Sequence, residues 1–84
     1  MTTEAEYVAG VREFVEGELL DGEGDDLTAD TPLLDWGILD SRSVPKLIEF
    51  VDRRFGIHVS EDEIHPRNFE SIGAIAGMLG RLAG

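Results

Sequence analysis

Residues 38–56 read ILDSRSVPKLIEFVDRRFG, and this stretch carries the clearest secondary-structure signal in the 84-residue chain. Its apolar residues recur at steps of three and four, which is the spacing of one helix face. They are Val44, Leu47, Ile48, Val51 and Phe55. Asp40, Ser41 and Ser43 are all residue types that cap helices, and Gly56 is a residue type that commonly ends them. The pattern predicts a helix from Ser41 to Phe55.

The first 40 residues predict one helix and a long loop. Apolar side chains recur at helical spacing over Thr3–Leu20, and Thr3 with Glu6 matches an N-terminal capping box. Residues 21–40 predict a loop that opens with the breaker sequence DGEGDD, and Gly37 allows a turn within it. The apolar residues of this loop require burial, so we expect its second half to be pinned to the core. They are Leu27, Leu33, Leu34, Trp36, Ile38 and Leu39.

The last third of the chain predicts one short helix and one long helix. The sequence SEDE at 60–63 matches a second capping box, and Pro66 is expected to stop the short helix. The last helix is predicted to start near Ser71, after Phe69 as a core anchor in the connecting loop. Its apolar face consists of Ile72, Ile75, Ala76, Leu79 and Leu82. We therefore predict one all-α domain over residues 1–84, a four-helix bundle of three main helices plus one short helix.

The charge and the composition exclude several classes of function. The formal net charge is −11, and residues 1–40 hold 12 acids and one base whereas residues 41–84 hold six of each. This balance argues against nucleic acid as a partner, and it is interpreted either as a solvated acidic face or as a docking face. The chain has no cysteine, so it supplies no sulfur nucleophile. No apolar run approaches the roughly 20 residues of a membrane span. We predict a cytoplasmic monomer with no membrane partner.

Ser41 is the first candidate for chemistry. It opens an amphipathic helix, where the helix dipole and the backbone N–H groups favour a phosphate ester. Arg42 beside it and Lys46 one turn later add positive charge. These residues alone leave two interpretations open, a phosphodiester site and a serine that only caps the helix.

The other candidate sites are weak, and we predict no metal ligand and no catalytic residue. His58 and His65 are separated by a helix and are more typical of surface residues than of a metal site. The acidic segment at 21–26 lacks the glycine that a calcium loop needs at its sixth position, and Pro32 replaces the bidentate glutamate. No Gly-x-Ser-x-Gly sequence of a hydrolase is present.

Four segments, in their order and spacing, together resemble the acyl and peptidyl carrier protein family. They are LLDWGILDS at 33–41, LIEF at 47–50, FGI at 55–57 and FESI at 69–72. The likeness extends over about residues 4–82. In that family an Asp-Ser pair opens the second helix, and the serine carries 4′-phosphopantetheine. The resemblance implies that Asp40 and Ser41 are this pair and that Ser41 is the attachment residue.

Two features depart from the usual family pattern. The common Asp-Ser-Leu is Asp40-Ser41-Arg42 here, and residues 41–54 hold four bases and two acids where fatty-acid carriers are typically acidic. These departures count against docking to housekeeping fatty-acid enzymes. The Gly-Ile-Leu-Asp-Ser run at 37–41 and the Phe69 anchor more closely resemble free-standing carriers that hold amino acids, such as D-alanyl carriers and stand-alone peptidyl carriers. A polyketide acyl cargo remains an alternative.

The resemblance implies a carrier rather than an enzyme. A phosphopantetheinyl transferase would attach the arm, an adenylating enzyme or acyltransferase would load its thiol, and a downstream transferase or synthase would take the thioester. The pathway would make a polyketide or a nonribosomal peptide. We predict a docking face of Arg42, Val44, Lys46 and Leu47, with core or solvated roles as the alternative for each. The alternative for the whole chain is a helical interaction module with an unmodified Ser41.

Overall fold

The structure, a computed structural model, describes residues 3–20 and 27–83. The helical elements are α1 at Glu4–Phe14, a π-helical turn at Val15–Leu19, α2 at Ser43–Phe55, a 3-10 turn at Glu61–Glu63, α3 at Pro66–Phe69 and α4 at Ile72–Ala83. The described residues contain no strand, so the predicted all-α bundle of three main helices and one short helix is confirmed. The predicted DGEGDD breaker lies outside the described residues. No helix within them is long and apolar enough to cross a membrane.

Helix α1 begins with the predicted capping box. The Thr3 hydroxyl accepts a hydrogen bond from the Glu6 N–H at 3.3 Å, and the Glu6 carboxylate accepts one from the Thr3 N–H at 3.4 Å. The prediction of one regular helix up to Leu20 is wrong at its end, because the Leu20 N–H donates to the Val15 carbonyl, five residues back, at 3.0 Å. Gly17 lies inside this wider turn, and a residue without a side chain makes such a distortion easier.

The segment between α2 and α4 differs from its prediction. Ser60 makes no side-chain capping bond, and residues 61–63 form only a 3-10 turn. Pro66 does not stop a helix but occupies the start of α3. Proline fits this position because a helix leaves the N–H there without a partner, and the ring fixes φ at a helical value. Phe69 is buried as predicted, with 2% exposure, but it lies at the end of α3 and not in a loop.

The loop that precedes α2 is pinned to the core as predicted, except at one residue. Its fully buried apolar side chains are Leu27, Leu33 and Leu39. The Leu33 N–H donates to the Glu70 carbonyl at 2.8 Å, which ties the loop to the segment before α4. Trp36 is 63% exposed, so the prediction that it needs burial is wrong. Gly37, with φ of 72°, closes a turn onto the carbonyl three residues back, and Trp36 is a central, outward-facing residue of that turn.

The buried side chains form one cluster, in which α4 packs mainly against α1. Gly10 of α1 lets Phe55 of α2 approach closely, because a Cβ at residue 10 would lie 2.6 Å from the Phe55 ring. Gly56 ends α2 as predicted, in the left-handed conformation with φ of 69°. The buried residues of α4 are Ile72, Ile75, Ala76, Met78 and Leu79, and Leu82 is partly buried against them.

Candidate cofactor-attachment site

Ser41 lies in the turn that joins the pinned loop to α2, and it is exposed. Leu39, two residues earlier, is 1% exposed and anchors this turn in the core. Within the described ranges, the Ser41 hydroxyl forms no hydrogen bond with another side chain or with the backbone. The fold therefore holds the backbone of Ser41 in place and leaves its hydroxyl open to solvent.

The capping group of α2 is Asp40. Its carboxylate accepts hydrogen bonds from the N–H groups of Arg42 at 2.9 Å and Ser43 at 3.0 Å, and from the Ser43 hydroxyl at 3.2 Å. Its carbonyl oxygen accepts from the N–H groups of Ser43 and Val44, both at 3.0 Å. The regular helix is assigned from Ser43, but this hydrogen-bonded turn already begins at Asp40. Three residues compete for the cap in the sequence, and the structure assigns it to Asp40.

This cap changes the expected electrostatics beside Ser41. The sequence predicts that free N–H groups at the helix start favour a phosphate ester, but those of Arg42 and Ser43 are taken by the Asp40 carboxylate. That part of the prediction is wrong, because the preceding side chain reaches the N–H groups first. A positive charge for an anion on Ser41 is then available from the side chain of the next residue, Arg42.

The hydrogen bonds of the cap keep the Asp40 carboxylate ionised. The backbone N–H of Arg42, followed by that of Ser43, lowers the pKa of Asp40 below its ordinary value. The Ser43 hydroxyl and the positive charge of Arg42 act in the same direction. The site therefore carries a carboxylate next to Ser41 throughout the neutral range.

We expect the start of α2 to loosen only in strongly acidic solution. A carboxylate whose pKa is depressed in the folded state adds stability above its unfolded pKa of about 4. That stability is lost as the pH falls through the lower, folded pKa. The amide proton resonances of Arg42 and Ser43 should therefore titrate together with a midpoint below about 4. Asp40→Asn should abolish this titration and keep the cap, and a wild-type midpoint above 4 would contradict the geometry.

Ser41 stands at the mouth of a shallow groove of about 170 Å³ between α2 and the segment that contains α3. Most of its lining residues are apolar. They are Leu34, Asp40, Ser41, Val44, Ile64, His65, Pro66 and Phe69. An exposed hydroxyl beside an apolar groove fits a flexible arm that is attached to the serine and packs along the protein.

Asn68 holds in place one wall of this groove, which consists of Ile64, His65 and Pro66. Its side chain is buried, with 6% exposure. The amide N–H₂ donates to the Glu63 carbonyl at 2.8 Å and to the Glu63 carboxylate at 3.0 Å, and it lies 3.2 Å from His65 Nε2. The amide oxygen accepts from Arg81 of α4 at 3.2 Å. These bonds fix the turn that precedes Ile64. Sequence reasoning missed Asn68, because a lone asparagine near a proline is usually exposed.

Asn68→Ala is expected to lower the free energy of unfolding by about 1–3 kcal/mol, because it leaves partly buried groups without partners. Urea unfolding followed by circular dichroism measures the loss. Arg81→Ala is the matched control, since it removes one hydrogen bond to Asn68 and a 3.8 Å ion pair with Glu63. Both come from an exposed side chain that water can replace, so the loss should be less than about 1 kcal/mol. Equal decreases in the free energy of unfolding of the two variants would show that Asn68 does not stabilise residues 64–66.

The four residues predicted to dock partners fall into two groups. Arg42 and Lys46 are exposed on α2, and their docking role stays a prediction. Leu47 is 1% exposed and belongs to the core, so its assignment to a docking face is wrong. Val44 is 9% exposed and lines the groove beside Ser41. Helical spacing identifies both residues as apolar-face members, but only the packing shows how deeply each is covered.

Comparison with known proteins identifies the class. The chain is 34% identical over 65 residues to the "Probable acyl carrier protein PigG" of Serratia sp. (strain ATCC 39006), which covers 77% of this chain and 75% of that protein. A search of family models finds no match. The small helical bundle and this relative together define a carrier protein. The chain belongs to the acyl carrier protein family.

A solved structure shows the same fold. A chain of the structure named "Crystal structure of FAD-dependent dehydrogenase" aligns with a TM-score of 0.78 at 40% sequence identity. The alignment covers 83% of this chain and 99% of that chain. Because 83% of 84 residues is about 70, the matched chain is itself only about 70 residues long.

Proposed function

We propose that Ser41 is the residue to which 4′-phosphopantetheine is attached, and that the chain carries an acyl or aminoacyl group on this arm. The observation that supports this most directly is the cap at the start of α2. Asp40 makes the capping hydrogen bonds, so the exposed hydroxyl of Ser41 has no structural task among the described residues. A serine that only capped the helix would have its oxygen on those N–H groups.

The residues around Ser41 each have a role in presenting the arm. Leu39 in the core and the Asp40 cap fix the position from which the Ser41 oxygen projects. The apolar groove gives the arm a surface on which to rest, and Arg42 offsets part of the negative charge that a phosphodiester adds. The arm supplies the thiol for a thioester, which a chain without cysteine cannot supply itself.

We further propose that the chain carries its cargo without catalysing a reaction. The groove beside Ser41 holds about 170 Å³, below the roughly 300–1,000 Å³ of most small-molecule sites. Within the described ranges, no group of three or more His, Asp and Glu side chains is placed to bind a metal ion. The contribution of the chain is then to raise the effective concentration of a tethered substrate for selected enzymes.

The partners we propose are a phosphopantetheinyl transferase, a loading enzyme and an enzyme that modifies the tethered group, in specialised metabolism. The 40% identity to a chain of a structure named for an FAD-dependent dehydrogenase supports a flavin enzyme as one modifying partner. In that case two bonds to hydrogen in the tethered group would break, with one hydrogen passing as a hydride to the flavin of the partner and the other as a proton to a base of the partner. The basic second helix supports an aminoacyl or peptidyl cargo over a fatty-acyl one.

Intact-mass spectrometry tests the attachment. The purified chain is incubated with coenzyme A, Mg²⁺ and a phosphopantetheinyl transferase of broad specificity, and its mass is compared before and after. We expect the gain of one phosphopantetheine group, and fragmentation of the proteolytic peptide should place it on Ser41. An unchanged mass would favour the unmodified interaction module, and a group on another serine would overturn the assignment.

A further inference from the structure

The exposed side of α2 carries two basic residues close to Ser41, here called the basic pair. Arg42 and Lys46 are four residues apart, so their side chains lie on the same side of the helix, and both are exposed. Neither forms an ion pair within residues 3–20 and 27–83. Four other arginines do form ion pairs with glutamates, and they are Arg12, Arg53, Arg54 and Arg81. The basic pair is therefore more available to an external partner than these arginines are.

Trp36 adds an exposed aromatic side chain five residues before Ser41. It is 63% exposed, the most exposed large hydrophobic residue of the described chain. Hydrogen bonds on both sides hold its backbone, from the Trp36 N–H to the Pro32 carbonyl at 3.0 Å and from the Ile38 N–H to the Leu33 carbonyl at 2.9 Å. A tryptophan on a fixed turn gives a partner a large apolar area for a small loss of entropy. Tryptophan is accordingly enriched among the residues that dominate interfaces.

Exposed acidic side chains lie in the groove next to the one that contains Ser41. Asp30, Asp35 and Glu70 are exposed and line a neighbouring groove of about 360 Å³. The basic pair lies at the start of α2 and does not line that groove. A net charge of −11 repels an acidic protein at long range. Arg42 and Lys46 nevertheless offer the carboxylates of a partner a local attraction next to Ser41, because neither is paired with an acidic side chain among the described residues. A surface of two signs fixes the orientation of the bound partner.

We propose that the enzyme that loads the attached arm presents carboxylates to the basic pair and an apolar cavity to Trp36. This inference rests on the proposed function, because the surface borders the serine to which the arm would be attached. The alternative is a partner enzyme with lysines and arginines around the entrance to its active site. The sign of the charge at this entrance therefore distinguishes the proposed partner from the alternative.

The test uses the full chain with the arm attached, after intact mass has shown that Ser41 is modified in every sample. The probe is one carrier-dependent loading enzyme, prepared in two forms whose entrance residues are replaced either by glutamates or by lysines. The measured quantity is kcat/KM for loading of the carrier. We expect the glutamate form to load the wild-type carrier about tenfold better than the lysine form at physiological salt, where a Debye length of about 8 Å screens the long-range repulsion but leaves the close contacts.

Two double variants with the same change in net charge separate the basic pair from the overall charge. Arg42→Glu with Lys46→Glu should reverse the preference, so that the lysine form becomes the better enzyme. Arg53→Glu with Arg54→Glu, on the same helix, should leave the preference as it is. Trp36→Ala should lower kcat/KM for both forms by about tenfold without changing the preference, because the lost contact is apolar.

Three results would overturn the proposal. They are a wild-type preference for the lysine form, equal effects of the two double variants, and a Trp36→Ala variant that is loaded as well as the wild type. A failure of the proposed function is seen separately, since it leaves the mass of the carrier unchanged before any loading is measured. Circular dichroism of each variant shows whether the helical fold is retained.

Discussion

Ser41→Ala is expected to abolish attachment of phosphopantetheine completely. The arm is joined through the serine oxygen, and alanine has no atom that could form the bond to phosphorus. The exposed Ser41 side chain makes no hydrogen bond among the described residues, so the variant should fold like the wild type. Intact mass after incubation with coenzyme A and a phosphopantetheinyl transferase measures the result, and circular dichroism confirms the fold.

Ser43→Ala is the matched control for this experiment. Ser43 lies two residues away, and its hydroxyl donates to the Asp40 carboxylate at 3.2 Å. Its removal weakens the cap but leaves the Ser41 oxygen in place, so we expect full modification at a somewhat lower thermal stability. Modification of Ser41→Ala, or loss of modification in Ser43→Ala alone, would show that the attachment residue is misassigned.

Much of the bundle is predictable from the sequence, because its main helices have strong local signals. Apolar residues at helical spacing identify α1, α2 and α4 without knowledge of their neighbours. Thr3 starts α1, Gly37 makes the turn, and Gly56 ends α2, each through a backbone preference of that residue type. These features are determined within a few residues of the chain, so the local sequence is sufficient to predict them.

The segment from 60 to 69 could not be predicted in the same way. The serine and glutamate of a capping box are present at 60 and 63, but a capping box is stable only if a helix follows it. The carboxylate of Glu63 instead accepts from Asn68, a buried residue that also bonds to Arg81 of α4, so this contact depends on the packing of the two segments. Pro66 is compatible with both the end and the start of a helix. Tertiary packing therefore decides this segment.

The candidate site shows the same division between local and tertiary information. The pair Asp40-Ser41 is recognisable from its sequence and position, but three residues there have side chains that cap helices. Only the hydrogen bonds show that Asp40 is the cap and that Ser41 is left exposed. The apolar character of Trp36 predicts either a place in the core or a surface on which the arm packs. Its exposure depends on which side of the turn faces the helices, and no local pattern specifies that.

Leu47→Ala is expected to lower the free energy of unfolding by about 2–5 kcal/mol. The side chain is 1% exposed and packs in the core cluster, so its removal loses apolar contacts and leaves a cavity. Domains of this size have a total of about 4–13 kcal/mol. The variant should therefore unfold at a much lower urea concentration, as followed by circular dichroism.

Lys46→Ala, one residue earlier on the same helix, distinguishes the core role of Leu47 from a docking role. Lys46 is exposed, so its replacement should change the free energy of unfolding by less than about 0.5 kcal/mol. The Lys46→Ala variant should nevertheless be loaded more slowly by an enzyme that binds the basic pair. The two neighbouring residues thus separate stability, tested at Leu47, from the proposed recognition by a partner, tested at Lys46. If Leu47→Ala were as stable as Lys46→Ala, the rotation of α2 in the bundle would have to differ from the one described.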